Sequence, residues 1–585
     1  MTSELYLSSS SGKPPVRIGI LLDSPVLPSA FASVIADIRR SNFARLELVI
    51  YNASGNSHSS SPAPHARSRL GTLLDLVRDQ NRRGDLGWAL YTKLDQHFSK
   101  LEDDPLIELD CSDLLGDIEA MHVEPITKRF VHRFPENILE EIRAKQLDVL
   151  LRFGFNILRG GILTAAKHGV WSFHHGDNDY YRGGPAHFWE MYEQSPLSGA
   201  MLQVLTEELD GGRVLMKGLF ATESGLSLKR NRLQPYWGSA HFVLAKLWEL
   251  HFFGWEHIER RLIAPAPYLG KRKIYRRPEN PEVLRWAIPQ VLTRAGKRVW
   301  STAARLEEPR HWRIAIRKVS GPPLCDGRQP DMRGFRWIDS PAGHFYADPF
   351  LIQHESKHWI FFEDYSYSDR RGVIACAELS QEGRIGSPVM ALDTGRHASY
   401  PHVFRDGESI YMIPETMQDE AVHLYRCIRF PEEWKLEAEL FSGPVVDTSV
   451  CRWEGLWWFF VTMVERRGRA IGLYLFFAES LTGKWHYHPS NPISLDVRTA
   501  RGAGMIQHCG GKLIRPSQDG SRRYGYAVNF SEIRKLTPTV YEEQPLLTVL
   551  PTWHPSLLAM HTYNYMGGFE AIDGLTRHRS KIRDI

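Results

Sequence analysis

Two groups of residues in this chain have types and spacing that could do chemistry. In the first, Ser172 and His174 stand two apart at the end of an apolar run, and Asp210 follows in the turn Leu209-Asp-Gly-Gly212. Histidine changes its proton near neutral pH and is the commonest general acid or base. An aspartate on a glycine turn can orient it, and a serine hydroxyl can donate one hydrogen bond to a negative oxygen. Asn156, in Phe153-Gly-Phe-Asn156, offers a further amide donor. The second group comprises Asp348 in Ala347-Asp-Pro-Phe-Leu351, Tyr400 and His402 in Ser399-Tyr-Pro-His-Val403, Asp447 in Val446-Asp-Thr-Ser-Val450, and Arg501 in Arg501-Gly-Ala-Gly-Met505. These residues suit glycan or nucleotide-sugar binding, and they suit equally the plain solvation of a polar channel.

The elements that must hold the first group alternate. Val16–Leu22, Leu46–Tyr51 and Asp148–Arg152 read as buried strands, with helical spacing over 30–40, 68–98 and 135–145 and a Ser/Pro/His-rich loop over 53–66. A further strand ends at His174, so the pattern through about residue 222 predicts an α/β, doubly wound parallel sheet with its cleft at the carboxyl ends of the strands. Residues 1–14 read as a disordered lead-in, 15–224 as the α/β domain, and 225–310 as a helical connector. The connector's amphipathic segments (238–262 and 281–305) and basic residues Lys271–Lys273 and Arg276-Arg277 suit a solvated face or a membrane surface. From 311 to 585 short strands repeat, with openings 47 to 59 residues apart and a hydrophobic strand about nine residues after each. Five such units predict an all-β five-bladed propeller.

The bulk properties bound the rest. The 585 residues call for two or three domains, and 43% hydrophobic with 24% charged residues is globular. A net charge of +4 gives no reason to expect a nucleic-acid partner. Six scattered cysteines without CxxC spacing predict reduced thiols. No leader pattern or bilayer-length apolar run is visible, so a cytoplasmic protein is expected. The oligomeric state is left open.

Residues 16–220 resemble the formyltransferase family. Phe153-Gly154, His174, Arg182-Gly183 with Pro185, Ser198-Gly199 and Leu209-Asp-Gly-Gly212 match its motifs in order. The resemblance implies an enzyme, a transferase of one-carbon groups, with 10-formyltetrahydrofolate as donor and an amine as acceptor. It implies His174 as base or electrostatic partner and Asp210 as its orienter. Phe153, Gly154, Arg182, Gly183 and Gly211 would face the donor. The family has Asn where this chain has Ser172, and Gly176-Asp-Asn-Asp179 replaces its Ser-Leu-Leu-Pro run. Losing one oxyanion donor costs on the order of 10²–10³ in rate, so Asn156 is the expected substitute. Asp177 and Asp179 read as solvated or as receptors for a cationic amino group. A metal held by His174, His175 and Asp177 is a weaker reading, and no metal is expected.

The 311–585 region resembles five-bladed glycoside hydrolases of family 43 type and the N-terminal domain of glucosamine inositolphosphorylceramide transferases. Asp348 and Asp447 match two of the hydrolases' three acidic positions, but Arg501 stands where the general acid should be, which argues against ordinary hydrolysis. The expectation is formyl transfer to an amino sugar, free or nucleotide-linked, beside a glycan-binding propeller. The alternative is a glycan-binding or glycosyl-transferring propeller with a degenerate first domain.

Overall fold

The computed structural model describes residues 5–54, 86–208, 211–264, 266–304, 311–319, 321–327, 330–464 and 470–576. The expected loop over 53–66 and the first part of the helix over 68–98 fall largely outside them, as does Asp210. The chain divides into two compact units, Ser3–Arg305 and Leu306–Ile585.

The first unit is built on seven strands: β1 (Val16–Leu22), β2 (Ala44–Asn52), β3 (Glu119–Val123), β4 (Val149–Arg152), β5 (Val170–His174), β6 (Leu197–Val204) and β7 (Arg213–Ala221). They lie in the order β7-β6-β5-β4-β1-β2-β3. β1 through β5 are mutually parallel, as the alternating pattern requires. β6 and β7 are antiparallel, which corrects the all-parallel expectation. Eight residues join β6 to β7, too few for the crossover that parallel strands need. Helices cover both faces. On one face, Leu139 and Ile142 of α3 (Glu136–Ala144) pack with Leu21, Leu48, Leu150 and Val170. On the other, α4 (Leu228–Phe252) packs against α1 (Ser29–Arg40) and strands β1, β2, β6 and β7.

The helix α4 is therefore part of this unit's core and not a connector. Its Phe242, Leu244, Ala245 and Leu247 are buried, so it serves as the cover that the second face needs. Of the expected lead-in, described from residue 5 on, part packs on this unit too. Tyr6 is fully buried against Trp248, whose indole donates to the Ser8 carbonyl at 2.9 Å. The basic segment 271–277 lies between helices and folds back on the unit, with Arg272 over the Trp189 ring at 4.1 Å.

The second unit consists of five antiparallel sheets. Four follow one another along the chain and open with His344–His354, Ser399–Asp406, Val445–Trp453 and Arg501–Gly502, each opening strand packing on the next. The fifth joins the two ends of the unit, His311–Lys318 pairing with Phe569–Thr576 along its whole length. Trp457 and Trp458 are buried between layers, a packing use for these aromatics. All six cysteines are free. Among the described residues no helix is long and apolar enough to cross a membrane.

Candidate functional site

Strand alternation places Val170, Ser172 and His174 on one face of β5. Val170 closes the core there, and the two polar residues continue outward to a cavity of about 160 Å3. Neighbouring strands bring their own residues level with Ser172: Arg152 on β4 and Gln203 on β6 are its register partners. All four line the cavity, with Arg159, Glu208 and Gly212. The described flanks of the Asp210 turn border it as well, Gly211 accepting from Thr206 Oγ1 at 3.3 Å. His174 Nε2 lies 3.3 Å from the Tyr181 carbonyl, a contact that needs the proton on that nitrogen. A wider cavity of about 900 Å3 opens near the amino ends of β4 and β5, around Asp148, His168 and Trp255, and contains none of the expected site residues.

The structure turns Asn156 away from this site. Its side-chain nitrogen lies 3.4 Å from His132 Nε2, and it is exposed. Arg152 takes the position that Asn156 was expected to fill. Its Nη1 donates to Ser172 Oγ at 3.1 Å, and its Nη2 donates to the carbonyls of Phe155 and Asn156 at 2.8 and 3.0 Å. Gln203 is 4% exposed, and among the described residues its side-chain carbonyl has no hydrogen-bond partner. A buried acceptor left unpaired costs about 1–3 kcal/mol. The sequence signal for Arg152 was a charge ending an otherwise apolar strand, and for Gln203 a lone amide within another.

The other expected donor-facing residues have local duties. Phe153 stacks on Phe31 at 5.0 Å, and Phe173 joins them. A Cβ on Gly154 would lie 2.3 Å from the Asp23 nitrogen, so only glycine lets the β1 and β4 loops meet. Arg182 lies over Tyr268 at 4.7 Å, and Gly183, at φ +96°, packs on Tyr275. Asp177 and Asp179 do not wait for a cationic ligand: Lys217 Nζ sits 2.6 Å from both. His175 is half-buried and stacked on Tyr236 at 3.7 Å, and His174, His175 and Asp177 are not among the groups of described residues whose ligand atoms lie within 4.8 Å of one another. Behind His174 lie two further buried groups. Burial pushes Glu190 up to about 8 and His187 down to about 3, their nearest atoms 3.6 Å apart.

In the second unit Asp348, Tyr400 and Asp447 occupy equivalent places in three successive opening strands. Each sits in a register shift and each has a positive φ, of 52°, 45° and 47°. Bulges re-aim side chains, and such backbone strain gathers at functional positions. The three are linked. Tyr400 N donates to Asp348 Oδ2 at 3.3 Å, and Tyr400 Oη to the Gly504 carbonyl at 3.0 Å. Asp447 pairs with Arg501 and accepts from Gln518 Nε2 at 2.9 Å. Arg501 lies over Tyr524 at 4.8 Å. His402 stands apart: its ring packs near Phe350 and Phe404, it accepts from Val450 N, and burial lowers it to about 3.

Sequence reading missed the acids and the histidine that complete this cluster, because the acids enter from second or last strands and His561 from the link between Leu557–Ala559 and Tyr563–Met566. Asp573 accepts from His561 Nδ1 at 2.5 Å, and His561 Nε2 lies 3.8 Å from Asp348. Asp348, His561 and Asp573 are the set among the described residues whose ligand atoms lie within 4.8 Å of one another, and could hold a cation. Burial, opposed by His561, brings Asp348 up to about 6. Burial and neighbouring acids raise Glu363 and Glu415 well above the usual carboxylate range.

Residues 338–553 match the family model described as glucosamine inositolphosphorylceramide transferase 1, N-terminal. Glucosamine inositolphosphorylceramide transferase 1 of Oryza sativa subsp. japonica is 36% identical over 208 residues, 35% of this chain and 28% of that protein. The match thus spans under a third of that relative's length. Among solved structures, glycinamide ribonucleotide transformylase 1 from Symbiobacterium toebii is 15% identical at a TM-score of 0.28, covering 46% of this chain and 100% of that one. An exo-beta-1,3-galactanase from Clostridium thermocellum is 13% identical at a TM-score of 0.28, covering 34% and 49%.

Proposed function

We propose that the first unit transfers a formyl group from a folate donor to the amine of an amino sugar, and that the second unit is a five-bladed propeller that holds a glycan. The observation carrying the first half is the convergence of Ser172, His174, Arg152 and Gln203 on one cavity, at the place where the formyltransferase-like motifs put the reaction. A volume of about 160 Å3 accepts the formyl-bearing end of a donor and an incoming amine, not a whole folate.

The donor supplies a formyl carbon bound to a folate nitrogen. The acceptor nitrogen's lone pair forms the new C–N bond, and the carbonyl π electrons move onto oxygen. When they return, the bond to the folate nitrogen breaks. His174 takes the proton lost by the amine and passes it to the departing nitrogen, so the products are an N-formyl amine and tetrahydrofolate. Asp210 orients His174 in this reading.

The sugar half rests on the family match over 338–553, whose relatives carry glucosamine in their name. Closure of the last sheet by the unit's first and last strands, with successive opening strands in contact, supports a ring of five blades. Incubating the full chain with formyl-folate and a panel of amino sugars tests the proposal: one sugar should gain the mass of CO in step with folate release. No gain with any of them would count against it.

A further inference from the structure

We infer that Arg152 supplies the charge that steadies the negative oxygen of formyl transfer, replacing the side-chain amide that Ser172 lacks. This rests on the formyl-transfer reading above.

Three observations carry it. Arg152 is the register neighbour of Ser172 and touches its hydroxyl at 3.1 Å, so its guanidinium lies against the position whose side chain is short. It lines the same cavity as His174. Its far nitrogen is tied to two carbonyls of the loop that follows β4, which fixes the plane of the group before any ligand arrives. Guanidinium keeps its charge at any working pH and is held here without reorganisation, the condition under which electrostatic stabilisation is largest. The short serine and the long arginine form one exchange: an asparagine in place of Ser172 would compete with the guanidinium for the same space.

When the amine attacks the formyl carbon, the carbonyl π pair becomes a lone pair on oxygen, and Arg152 faces that charge, while the Ser172 hydroxyl accepts from Arg152 and donates to the Phe173 carbonyl at 3.2 Å. The pair returns to the carbonyl as the folate nitrogen leaves. Arg152 gives up no proton; His174 handles the only one that moves.

The test uses the full chain with 10-formyl-5,8-dideazafolate as donor and hydroxylamine as a small nucleophile, following binding by fluorescence and deformylation by absorbance. Arg152→Ala should bind the analogue within about threefold of the unaltered chain yet deformylate it 10²–10³ times more slowly. Arg152→Lys keeps a charge but not the planar fork and should fall between them. Arg152→Ala/Ser172→Asn should regain at least tenfold over Arg152→Ala, a recovery that a purely structural loop clip would not give. Arg152→Lys or Arg152→Ala at full turnover, with His174→Ala inactive, overturns the role of Arg152 and leaves formyl transfer standing. Failure of the unaltered chain to bind or deformylate the analogue overturns the formyl reading, and this inference with it.

Discussion

At the residue scale, each candidate site sets an arginine against a polar side chain of another strand. Arg152 reaches the short Ser172 from the next strand. Arg501 pairs with Asp447, whose side chain is 4% exposed. Removing one partner of a buried pair leaves an uncompensated charge and costs about 3–5 kcal/mol. Asp447→Ala should therefore destabilise the second unit by that order, and Asp447→Ala/Arg501→Met by clearly less. Denaturant titration of the three proteins checks this, and equal losses would contradict it. Glu190 gives a pH signature. Its pKa is raised to about 8 by burial, so the folded chain keeps a proton that the unfolded chain releases above 4.5. That stabilisation is complete below about pH 4.5 and is lost as pH rises to 8. His187, lowered to about 3, works in the opposite direction, but only below 6.5. Between pH 6.5 and 8 the slope of Glu190 remains, about 2 kcal/mol in all. Melting curves of Glu190→Gln should be flatter than those of the parent over that window, and identical slopes would refute the assignment.

At the element scale, the site depends on how two strands end. β1 and β4 stop side by side, and Gly154 lets their loops touch, with Leu22 and Asp23 backbone in the space a Cβ would need. Backbone cannot swing aside as a side chain can, so Gly154→Ala should cost about 1–3 kcal/mol and displace the Arg152 clip that follows. Chemical denaturation measures the first effect, and an unaltered midpoint would show that the loops part freely. Strand identity and His174 at a strand end were legible in the sequence, because apolar runs bounded by polar turns have few other solutions. The direction of β6 was not: local pattern is the same for either orientation, and the short loop to β7 decides only their mutual sense. Asn156 was misjudged for a related reason. It lies in the loop after β4, where Phe155 takes a positive φ of 62° and the Asn156 side chain turns to His132.

At the scale of the molecule, the repeat spacing announced five sheets, while the partners that finish the second cluster came from elsewhere. His561 and Asp573 lie more than 200 residues beyond Asp348, and only closure of the last sheet brings them together. The family match over 338–553 stops short of both. The 225–310 region was read as a connector because its basic residues suggested an exposed face, yet α4 covers the first unit's sheet and Arg272 stacks on Trp189. Burial cannot be read from a helix whose apolar residues surround it. The account as a whole rests on the first unit's cavity being a formyl-transfer site. Its most direct test is to titrate the full chain and its His174→Ala variant with 10-formyl-5,8-dideazafolate, then follow deformylation with an amino sugar present. The account predicts that both bind the analogue and that the variant turns it over at least about 10² times more slowly; absence of binding by the unaltered chain, or equal turnover by both, would contradict it.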